Sequence, residues 1–218
     1  MNKDVLRFIE SSKAKVVIFD IDGTLKDLCV EHTDAVKATL EQFNVKRRSR
    51  RFVLALNRLA MYVVKTGFIP TNQTKQNFLV KLSGIICGVK VKDFYKAYFE
   101  NYTREICLFD GVYELLVELN KQKEVYFATI NKQNYNLEIC GLHQEKIAYT
   151  NGSFKVETYA TLVKKIGVDK SEVVVIGDNI FDDWVSAKKI GVKCFLVNRY
   201  QNKIKSLLCK LVNGRYLK

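Results

Sequence analysis

A short apolar run that ends abruptly in two acids places the strongest constraint on the fold. Residues 16–19 read Val-Val-Ile-Phe, and they lead into Asp20, Asp22 and a glycine at position 23. Four consecutive β-prone residues predict a central strand buried on both faces, as in parallel sheets. Side chains alternate along an extended chain, so the two aspartates can point to the same side of it. Gly23 then allows the chain to turn.

Asp20 and Asp22 form a pair of like charges that repel each other unless a cation lies between them. Such a pair indicates a hard metal ion and either acid–base or nucleophilic chemistry. The hydroxyl of Thr24, two residues further on, can bond nearby backbone or a phosphate oxygen. A strand followed by an acidic surface turn would also account for these residues.

The run Asp20-Ile21-Asp22-Gly23-Thr24 resembles the Asp-x-Asp-Gly-Thr signature of the haloacid dehalogenase superfamily of phosphatases. Four residues at fixed spacing favour this interpretation over the acidic turn. The resemblance covers roughly residues 14–27 and 105–198, and it is to phosphoglycolate phosphatase-like members with a helical C1 cap. It implies a Rossmann-like core and a phosphatase activity.

Strands and helices alternate in the second half of the chain. This alternation predicts an α/β fold with a doubly wound parallel sheet covered on both faces. The predicted strands are 16–20, 125–129, 147–149, 173–177 and 194–197, and the predicted helices are about 133–140, 157–166, 183–190 and an amphipathic C-terminal segment around 204–212 that we expect to pack against the sheet.

More than a hundred residues separate the first two strands, although a parallel crossover needs only about a dozen. The intervening segment reads as helical, with helices predicted at 31–43, 52–64, 73–84 and 91–103 and a turn at Gly67 and Pro70. The stretch 52–64 is apolar nearly all round, which is typical of a helix buried in a small bundle. We therefore predict a catalytic core over 1–27 and 105–218 and a helical cap domain over 28–104. The resemblance implies that this cap closes over the site as a lid.

Ligands of open parallel sheets bind at the carboxyl ends of the strands, and the residues there form a coherent set. The later motifs of the superfamily match the same positions: Thr129 ends the second strand, and Asp178 and Asp183 fit the acidic Gly-Asp-(x)4-Asp form. Asp182 is the alternative to Asp183. Lys155 is the weakest match, because Val156 replaces a proline, and Lys164 or Lys165 could serve instead.

The resemblance also implies a mechanism. Asp20 attacks phosphorus to form an aspartyl-phosphate, and Asp22 protonates the leaving group and later takes a proton from water. Mg²⁺ is held by Asp20, the Asp22 carbonyl, Asp178 and Asp183. Asp183 has an alternative role, in which it acts through water or through Lys155 instead of binding the ion directly. Thr129 and Lys155 neutralise and orient the phosphoryl oxygens. Gly23, Thr24 and Asn131 complete the predicted substrate-binding set.

Composition excludes several other classes of protein. The six cysteines are scattered without a Cys-x-x-Cys pair, which argues against zinc or thioredoxin-like chemistry and fits a cytoplasmic protein. The two histidines, His32 and His143, have no obvious partner, so we expect structural or surface roles. No apolar run approaches the ~20 residues of a membrane span, and we expect no signal peptide. The phosphate-binding glycine motifs of dinucleotide-binding and P-loop proteins are absent from the sequence.

The net charge of +13 is unevenly distributed. Residues 42–92 hold eleven Lys or Arg and no acid, and residues 184–218 hold nine Lys or Arg and no acid. Solubility explains such segments, and a polyanionic substrate or partner is the functional alternative. The run Lys46-Arg47-Arg48-Ser49-Arg50-Arg51 would lie in the domain that selects the substrate.

Three classes of function remain at this point. The favoured one is a phosphatase acting on a small phosphorylated metabolite, with a sugar phosphomutase as its variant. The second is a nucleotide or polynucleotide phosphatase, or a nucleic-acid-binding protein of the same fold, which would use the basic cap. The third is a phospho-accepting signalling domain, which the long insert and the second acid at Asp22 disfavour.

Overall fold

Residues 16–20 form the middle strand of a parallel sheet. The computed structural model describes residues 2–64, 73–102, 108–130, 144–150 and 155–200. The strands in these ranges are β1 (Val16–Asp20), β2 (Glu124–Thr129), β3 (Ile147–Tyr149), β4 (Val173–Gly177) and β5 (Lys193–Leu196). Every pairing between them is parallel, in the order β3-β2-β1-β4-β5.

The helices of the same ranges fall into two groups, one flanking the sheet and one in the insert. They are α1 (Asn2–Ser12), α2 (Leu28–Gln42), α3 (Arg47–Val64), α4 (Gln73–Cys87), α5 (Val91–Asn101), α6 (Val112–Asn120), α7 (Val156–Ile166) and α8 (Ser186–Ile190). A search of the described helices for one with the length and apolar character of a membrane crossing finds none.

Two compact units can be distinguished within the described residues. The sheet unit comes from Met1–Asp27 and Leu108–Asn198, and the helical unit comes from Leu28–Cys107 together with Arg199 onward. Tyr200 belongs to the second unit and its ring lies 5.7 Å from that of Tyr62. The C-terminal helix predicted around 204–212 lies outside the described residues.

The core of the sheet unit explains why β1 is apolar throughout. Val16 and Ile18 pack in one cluster with side chains of α7 and α8. Alternate residues of a strand point to opposite faces, and Val17 and Phe19 are equally inaccessible to solvent. Both faces of β1 are therefore buried, as the unbroken apolar run predicted.

The register of the sheet brings three strand ends together. Asp20 pairs with Ala128 of β2, and Phe19 pairs with Ile176 of β4. Because all strands run in the same direction, their carboxyl ends lie at one edge. The strand order reverses at β1, which has β2 on one side and β4 on the other. Asp20, the last residue of β1, therefore lies at the topological switch point.

The predicted fold class is confirmed, and the strands agree with the prediction to within a residue. One helix of the sheet unit differs: residues 183–190 were expected to be a single α-helix. Instead a π-helical turn runs over Ile180–Val185 and α8 begins only at Ser186. The Asn179 side-chain oxygen accepts hydrogen bonds from the backbone N–H groups of Phe181 and Asp182, which starts the turn earlier. The helix predicted at 133–140 and the turn at Gly67 and Pro70 lie outside the described residues.

The helical unit has its own apolar core, built from α2, α3, α4 and α5. The described aromatic residues of the stretch 91–103 largely belong to this core. Phe94 and Tyr98 are inaccessible, and Tyr102 is nearly so. Gly84 allows α4 to approach α5 closely, because a Cβ atom there would lie 3.1 Å from the Cβ of Phe94.

Helix α3 differs from the prediction that it is buried on all sides. Val53, Asn57 and Met61 form its buried stripe at helical spacing. Phe52 is 51% exposed, and Arg47 and the other basic residues of the first turns are largely at the surface. The helix is therefore amphipathic, because only one side of it meets the rest of the helical unit.

A buried polar network links the four helices of this unit. His32 Nε2 lies 2.9 Å from Asn57 Oδ1, and His32 Nδ1 lies 2.9 Å from the Tyr98 hydroxyl. The Asn57 amide nitrogen donates to Val53 and to Ser83. Since Asn57 Oδ1 must then accept, the Nε2 atom of His32 carries a proton. Burial lowers the pKa of His32 and keeps the ring neutral near pH 7, so Nδ1 accepts from the Tyr98 hydroxyl. The structural role expected for His32 is thus correct, but its partners come from helices distant in sequence.

This network makes the stability of the helical unit dependent on pH. Burial lowers the pKa of His32 from 6.5 to about 4, partly opposed by the hydrogen bond to Asn57. Between these values the unfolded chain binds a proton that the folded chain does not. Stability should therefore fall as the pH drops from about 6.5 to about 4, by roughly 1.4 kcal/mol per pH unit. Urea denaturation followed by far-UV circular dichroism at several pH values measures this slope.

The matched control is His32→Gln, which cannot titrate in this range. Other groups titrate in both proteins, so the difference between the two slopes belongs to His32. Equal slopes for the wild type and the variant would contradict the prediction.

Candidate active site

The residues after β1 form a tight turn that presents the two aspartates. The N–H groups of Leu25 and Lys26 both donate to the carbonyl of Ile21 at 3.0 Å, and Gly23 N donates to the Lys26 carbonyl at 2.9 Å. Gly23 has a φ of 97°, a conformation that side chains with a Cβ atom rarely adopt. The glycine of the motif is therefore required by the backbone of the turn.

Asp20 is held by donors from both of its sides. Thr24 Oγ1 donates to Asp20 Oδ2 at 2.9 Å, and Lys155 Nζ donates to Asp20 Oδ1. The Asp20 side chain is only 4% exposed. A hydroxyl group has a single proton to donate. In this structure the Thr24 hydroxyl donates its proton to Asp20 and so orients the carboxylate.

Asp22 has a separate pair of partners. Thr129 Oγ1, at the carboxyl end of β2, donates to Asp22 Oδ2 at 3.1 Å. The ammonium group of Lys26 lies 3.6 Å from Asp22 Oδ1 and is almost completely buried. The two acids of the motif thus lie in different surroundings, and each has a lysine beside it.

A second pair of acids follows β4. Asp178 and Asp183 are both buried, and the π-helical turn between them folds the chain back on itself. Asp183 Oδ2 accepts the backbone N–H groups of Asp178 at 3.1 Å and Asn179 at 3.0 Å. The turn therefore directs the Asp183 carboxylate back to the end of β4, next to the other acids.

Gly177 makes this return possible. A Cβ atom at position 177 would lie 2.2 Å from Cγ of Asp183, which is well inside van der Waals contact. The last residue of β4 must therefore lack a side chain, because the Asp183 carboxyl group occupies that space.

Lys155 connects Asp20, at the end of β1, with Asp183, in the turn after β4. Its ammonium group contacts Asp20 Oδ1 and donates to Asp183 Oδ1 at 2.7 Å. Burial alone would lower the pKa of Lys155, but the attraction of Asp183 and Asp20 outweighs it and raises the pKa above the ordinary value. Lys155 is therefore a permanent cation between two carboxylates.

The donor set of this cluster fits a divalent cation. Asp20, Asp178 and Asp183 each offer a carboxylate oxygen, and these oxygens lie within 4.8 Å of one another. If all three are ionised, Lys155 offsets one of three negative charges and about two remain. Buried charge without compensation is costly, and oxygen ligands of this kind suit Mg²⁺.

All but one of the predicted site residues lie in the described part of the chain. Six of them lie together, Gly23 lies in the adjoining turn, and Asp178 lies alongside in the carboxylate cluster. The six are Asp20, Asp22, Thr24, Thr129, Lys155 and Asp183. Lys164 and Lys165, the alternatives to Lys155, are exposed on α7. Asp182, the alternative to Asp183, is buried, and its backbone N–H donates to Asn179. Asn131 lies outside the described residues.

Two residues of the cluster were missed by the sequence analysis. Tyr159 is inaccessible to solvent and its hydroxyl donates to Asp183 Oδ1 at 2.7 Å. Its position one helical turn after Lys155 was a usable signal, because residues four apart share a helix face. Lys26 is the second, and a lysine after an acidic turn carries no local signal that it is buried.

The sequence matches a family model described as haloacid dehalogenase-like hydrolase over residues 17–197. That range includes every described residue of the cluster. Among curated protein sequences, none matches this chain.

Similar solved structures carry related names. A candidate haloacid dehalogenase-type hydrolase from Bacillus subtilis, YfnB, bound to magnesium, is 15% identical with a TM-score of 0.66, covering 90% of this chain and 99% of its own. A candidate β-phosphoglucomutase from Thermotoga maritima is 19% identical with a TM-score of 0.60, covering 91% and 99%. A candidate phosphatase from Clostridium difficile is 20% identical with a TM-score of 0.55, covering 88% and 91%. At these identities the likeness concerns the fold.

The close approach at Gly177 leads to a prediction about stability and cation binding. Gly177→Ala should cost about 1–3 kcal/mol, because the new methyl group overlaps the Asp183 carboxyl group. If Mg²⁺ binds the carboxylate cluster and so raises the Tm of the wild type, the variant should lose that rise, because displacing Asp183 also moves Asp178, whose N–H group donates to it. Urea denaturation and thermal melts with and without Mg²⁺ measure the two effects.

Gly167→Ala is the control for this experiment. Gly167 has a φ of 75° and open space around the position of a Cβ atom, so alanine there costs only backbone strain. The control should lose stability but keep the Mg²⁺-induced rise in Tm. If Gly177→Ala kept that rise as well, the steric explanation would be wrong.

Proposed function

The chain belongs to the haloacid dehalogenase-like hydrolase family, and we propose that it is a Mg²⁺-dependent phosphatase acting on a small phosphorylated molecule. The single observation that carries the proposal is the ion-paired cluster at the switch point of the sheet. There Lys155 bridges Asp20 and Asp183, with Asp178 in the same group of carboxylates. Paired acids, one buried lysine and hydroxyls at one sheet edge suit phosphoryl transfer.

Asp20 is the proposed nucleophile. Its carboxylate is oriented by Thr24 and Lys155, and a fixed orientation reduces the entropy that the reaction must supply. Attack of Oδ1 or Oδ2 on phosphorus forms the aspartyl-phosphate as the bond from phosphorus to the leaving oxygen breaks. Water then attacks the same phosphorus and releases inorganic phosphate and the free carboxylate.

Asp22 is the proposed general acid and base. It lies two residues after the nucleophile and is 15% exposed on its side chain, so it can reach a bound substrate. Its carboxyl group gives a proton to the departing alkoxide in the first step and takes one from water in the second. Before a substrate binds, the Thr129 hydroxyl donates to Asp22 Oδ2.

Asp20, Asp178 and the backbone carbonyl of Asp22 are the groups that would hold Mg²⁺. The ion supplies positive charge that offsets the repulsion between carboxylate and phosphate. Asp183 is a weaker candidate ligand than the sequence suggested, since its carboxylate already accepts four hydrogen bonds. We assign it to holding Lys155 in place.

Lys155 and Thr129 are the proposed partners of the phosphoryl oxygens. Lys155 is a buried cation in contact with the nucleophile, so it lies close to any group that Asp20 attacks. A positive charge in a site shielded from water stabilises the transition state more than it would in solvent.

The helical unit is the proposed cap, which selects the substrate. Its sequence is inserted between β1 and the rest of the sheet unit, and it forms a separate core. Such an insert can close over a site and exclude water. We place the reaction in the cytoplasm, on the basis of its scattered cysteines.

Nucleotide or oligonucleotide phosphates are the second candidate substrates. Residues 42–92 carry eleven basic residues and no acid, and Arg47, Arg48 and Arg51 are exposed on α3. A polyanionic leaving group would be attracted to this surface, and the attraction would weaken with salt. A panel of phosphomonoesters that includes 3′- and 5′-phosphorylated oligonucleotides, assayed at two salt concentrations, separates the candidates. A phosphomutase would need a bisphosphate activator and release little phosphate.

The nucleophile assignment predicts that Asp20→Asn has no measurable phosphatase activity. An amide cannot form the covalent intermediate, while the similar shape should preserve the fold. Phosphate release from the panel and the Tm of the variant are the measurements. Asp169→Asn is the control, because Asp169 is an exposed helix cap bonded to Ser171. Near-normal turnover by Asp20→Asn would exclude the proposed mechanism.

The cation assignment predicts that chelation by EDTA abolishes activity and that added Mg²⁺ restores it. Asp178→Asn should raise the Mg²⁺ concentration needed for half-maximal activity by at least about tenfold. It should also reduce the Mg²⁺-induced rise in Tm, which is independent of turnover. An unchanged Mg²⁺ requirement in this variant would remove Asp178 from the ligand set.

A further inference from the structure

The carboxylate of Asp183 is fully engaged by four donors from two parts of the chain. Oδ2 accepts two backbone N–H groups of the turn after β4. Oδ1 accepts the Lys155 ammonium and the Tyr159 hydroxyl, each at 2.7 Å. Two acceptor sites per oxygen is the capacity of a carboxylate, so the position of this group is completely determined by its donors.

The two donors to Oδ1 come from one turn of helix. Lys155 is the residue that caps α7, and Tyr159 N donates to the Lys155 carbonyl at 2.9 Å. Their side chains therefore leave the same face of α7 and meet at the same oxygen. Two side chains at the start of α7 therefore donate to Asp183, the charged ammonium group of Lys155 and the neutral hydroxyl of Tyr159.

The Tyr159 hydroxyl remains a donor under all ordinary conditions. Burial, together with the negative charges of Asp183 and Asp20, raises the pKa of Tyr159 well above its usual value. The ring is inaccessible to solvent and packs in the core beside Val16 and Ile18 of β1. The hydroxyl is thus held rigidly at the end of a packed ring.

We propose that Tyr159 is a positioning residue of the active site, which acts through Asp183 on Lys155. The phenol fixes Asp183 Oδ1 at the point where Lys155 can contact it and Asp20 together. The inference rests on the proposed function, because it assumes that the contact of Lys155 with Asp20 serves phosphoryl transfer. It adds a hydrogen-bonded chain that runs from Tyr159 through Asp183 and Lys155 to the nucleophile.

A purely structural role for Tyr159 predicts a different response to loss of the hydroxyl. If the ring only fills the core, Tyr159→Phe keeps the packing and the activity. If the hydroxyl positions Asp183, the same variant should lower kcat roughly tenfold, as expected for a hydrogen bond to a charged group. The KM should change less than twofold, because Tyr159 contacts Asp183 and not the substrate.

A double-mutant cycle tests whether Tyr159 acts through Asp183. The variants are Tyr159→Phe, Asp183→Asn and both together, assayed with p-nitrophenyl phosphate and Mg²⁺. We expect the tenfold effect of Tyr159→Phe to shrink to less than twofold when Asp183 is already asparagine. An unchanged kcat in Tyr159→Phe overturns the proposal, and so does an equal effect in both backgrounds.

Tyr126→Phe is the matched control. Tyr126 also packs against the same core and donates to a carboxylate, Glu124 Oε2 at 3.0 Å, at the beginning of β2 and thus at the opposite end of that strand from the site. This variant loses the same group and should leave kcat unchanged.

The same cycle in urea denaturation keeps the test independent of turnover. The loss of stability from Tyr159→Phe should disappear in the Asp183→Asn background, and additive losses overturn the proposal. If the wild type shows no phosphatase activity while the stability cycle shows coupling, the proposed function fails and the contact stands. If the wild type is active and both cycles are additive, only the role of Tyr159 fails.

Discussion

The repulsion between carboxylates at the end of β1 is the constraint on which the arrangement of the sheet unit depends. Three of them offer oxygens within 4.8 Å of one another, and burial makes uncompensated charge expensive. Lys155 is the buried cation that contacts two of the three. Hydrogen bonds from Thr24, Tyr159 and the turn after β4 distribute the remaining charge. These three carboxylates are thus like charges held together by the ammonium group of Lys155 and by neighbouring hydrogen-bond donors.

Parallel strand order is what makes such a cluster possible from remote segments. Asp20, Thr129 and Gly177 are far apart in the chain, yet the register of β1 with β2 and β4 brings their strand ends to one edge. The absence of a side chain at Gly177 then admits the Asp183 carboxyl group to that edge. The helical unit is organised differently, by a neutral His32 whose partners come from separate helices. The sheet unit gathers several ionised side chains at one edge, and the helical unit links its helices through a neutral polar network.

Much of this could be predicted from local patterns. The apolar run before Asp20, the turn at Gly23 and the alternation of strands and helices each depend on neighbouring residues, which is why their interpretation agrees with the structure. The π-helical turn at Ile180–Val185 could not be predicted, because it depends on the Asn179 side chain capping backbone groups. The exposure of Phe52 could not be predicted either, since an apolar sequence does not state which sides of a helix are covered.

The sequence by itself determined the fold class and the acids of the site, because hydrophobic periodicity and a contiguous motif are local properties. Only the tertiary structure decided between Lys155 and Lys164 as the lysine of the cluster, and between Asp183 and Asp182 as the acid that joins Asp178 there. Lys155 and Lys164 are equivalent by charge, and only burial beside Asp20 and Asp183 distinguishes them. Tyr159 belongs to no sequence motif, and only the fold shows that its hydroxyl donates to Asp183. Contacts between distant segments depend on distances that no local pattern contains, and so the Asp20-Ile21-Asp22-Gly23-Thr24 motif could name the chemistry but not its supporting residues.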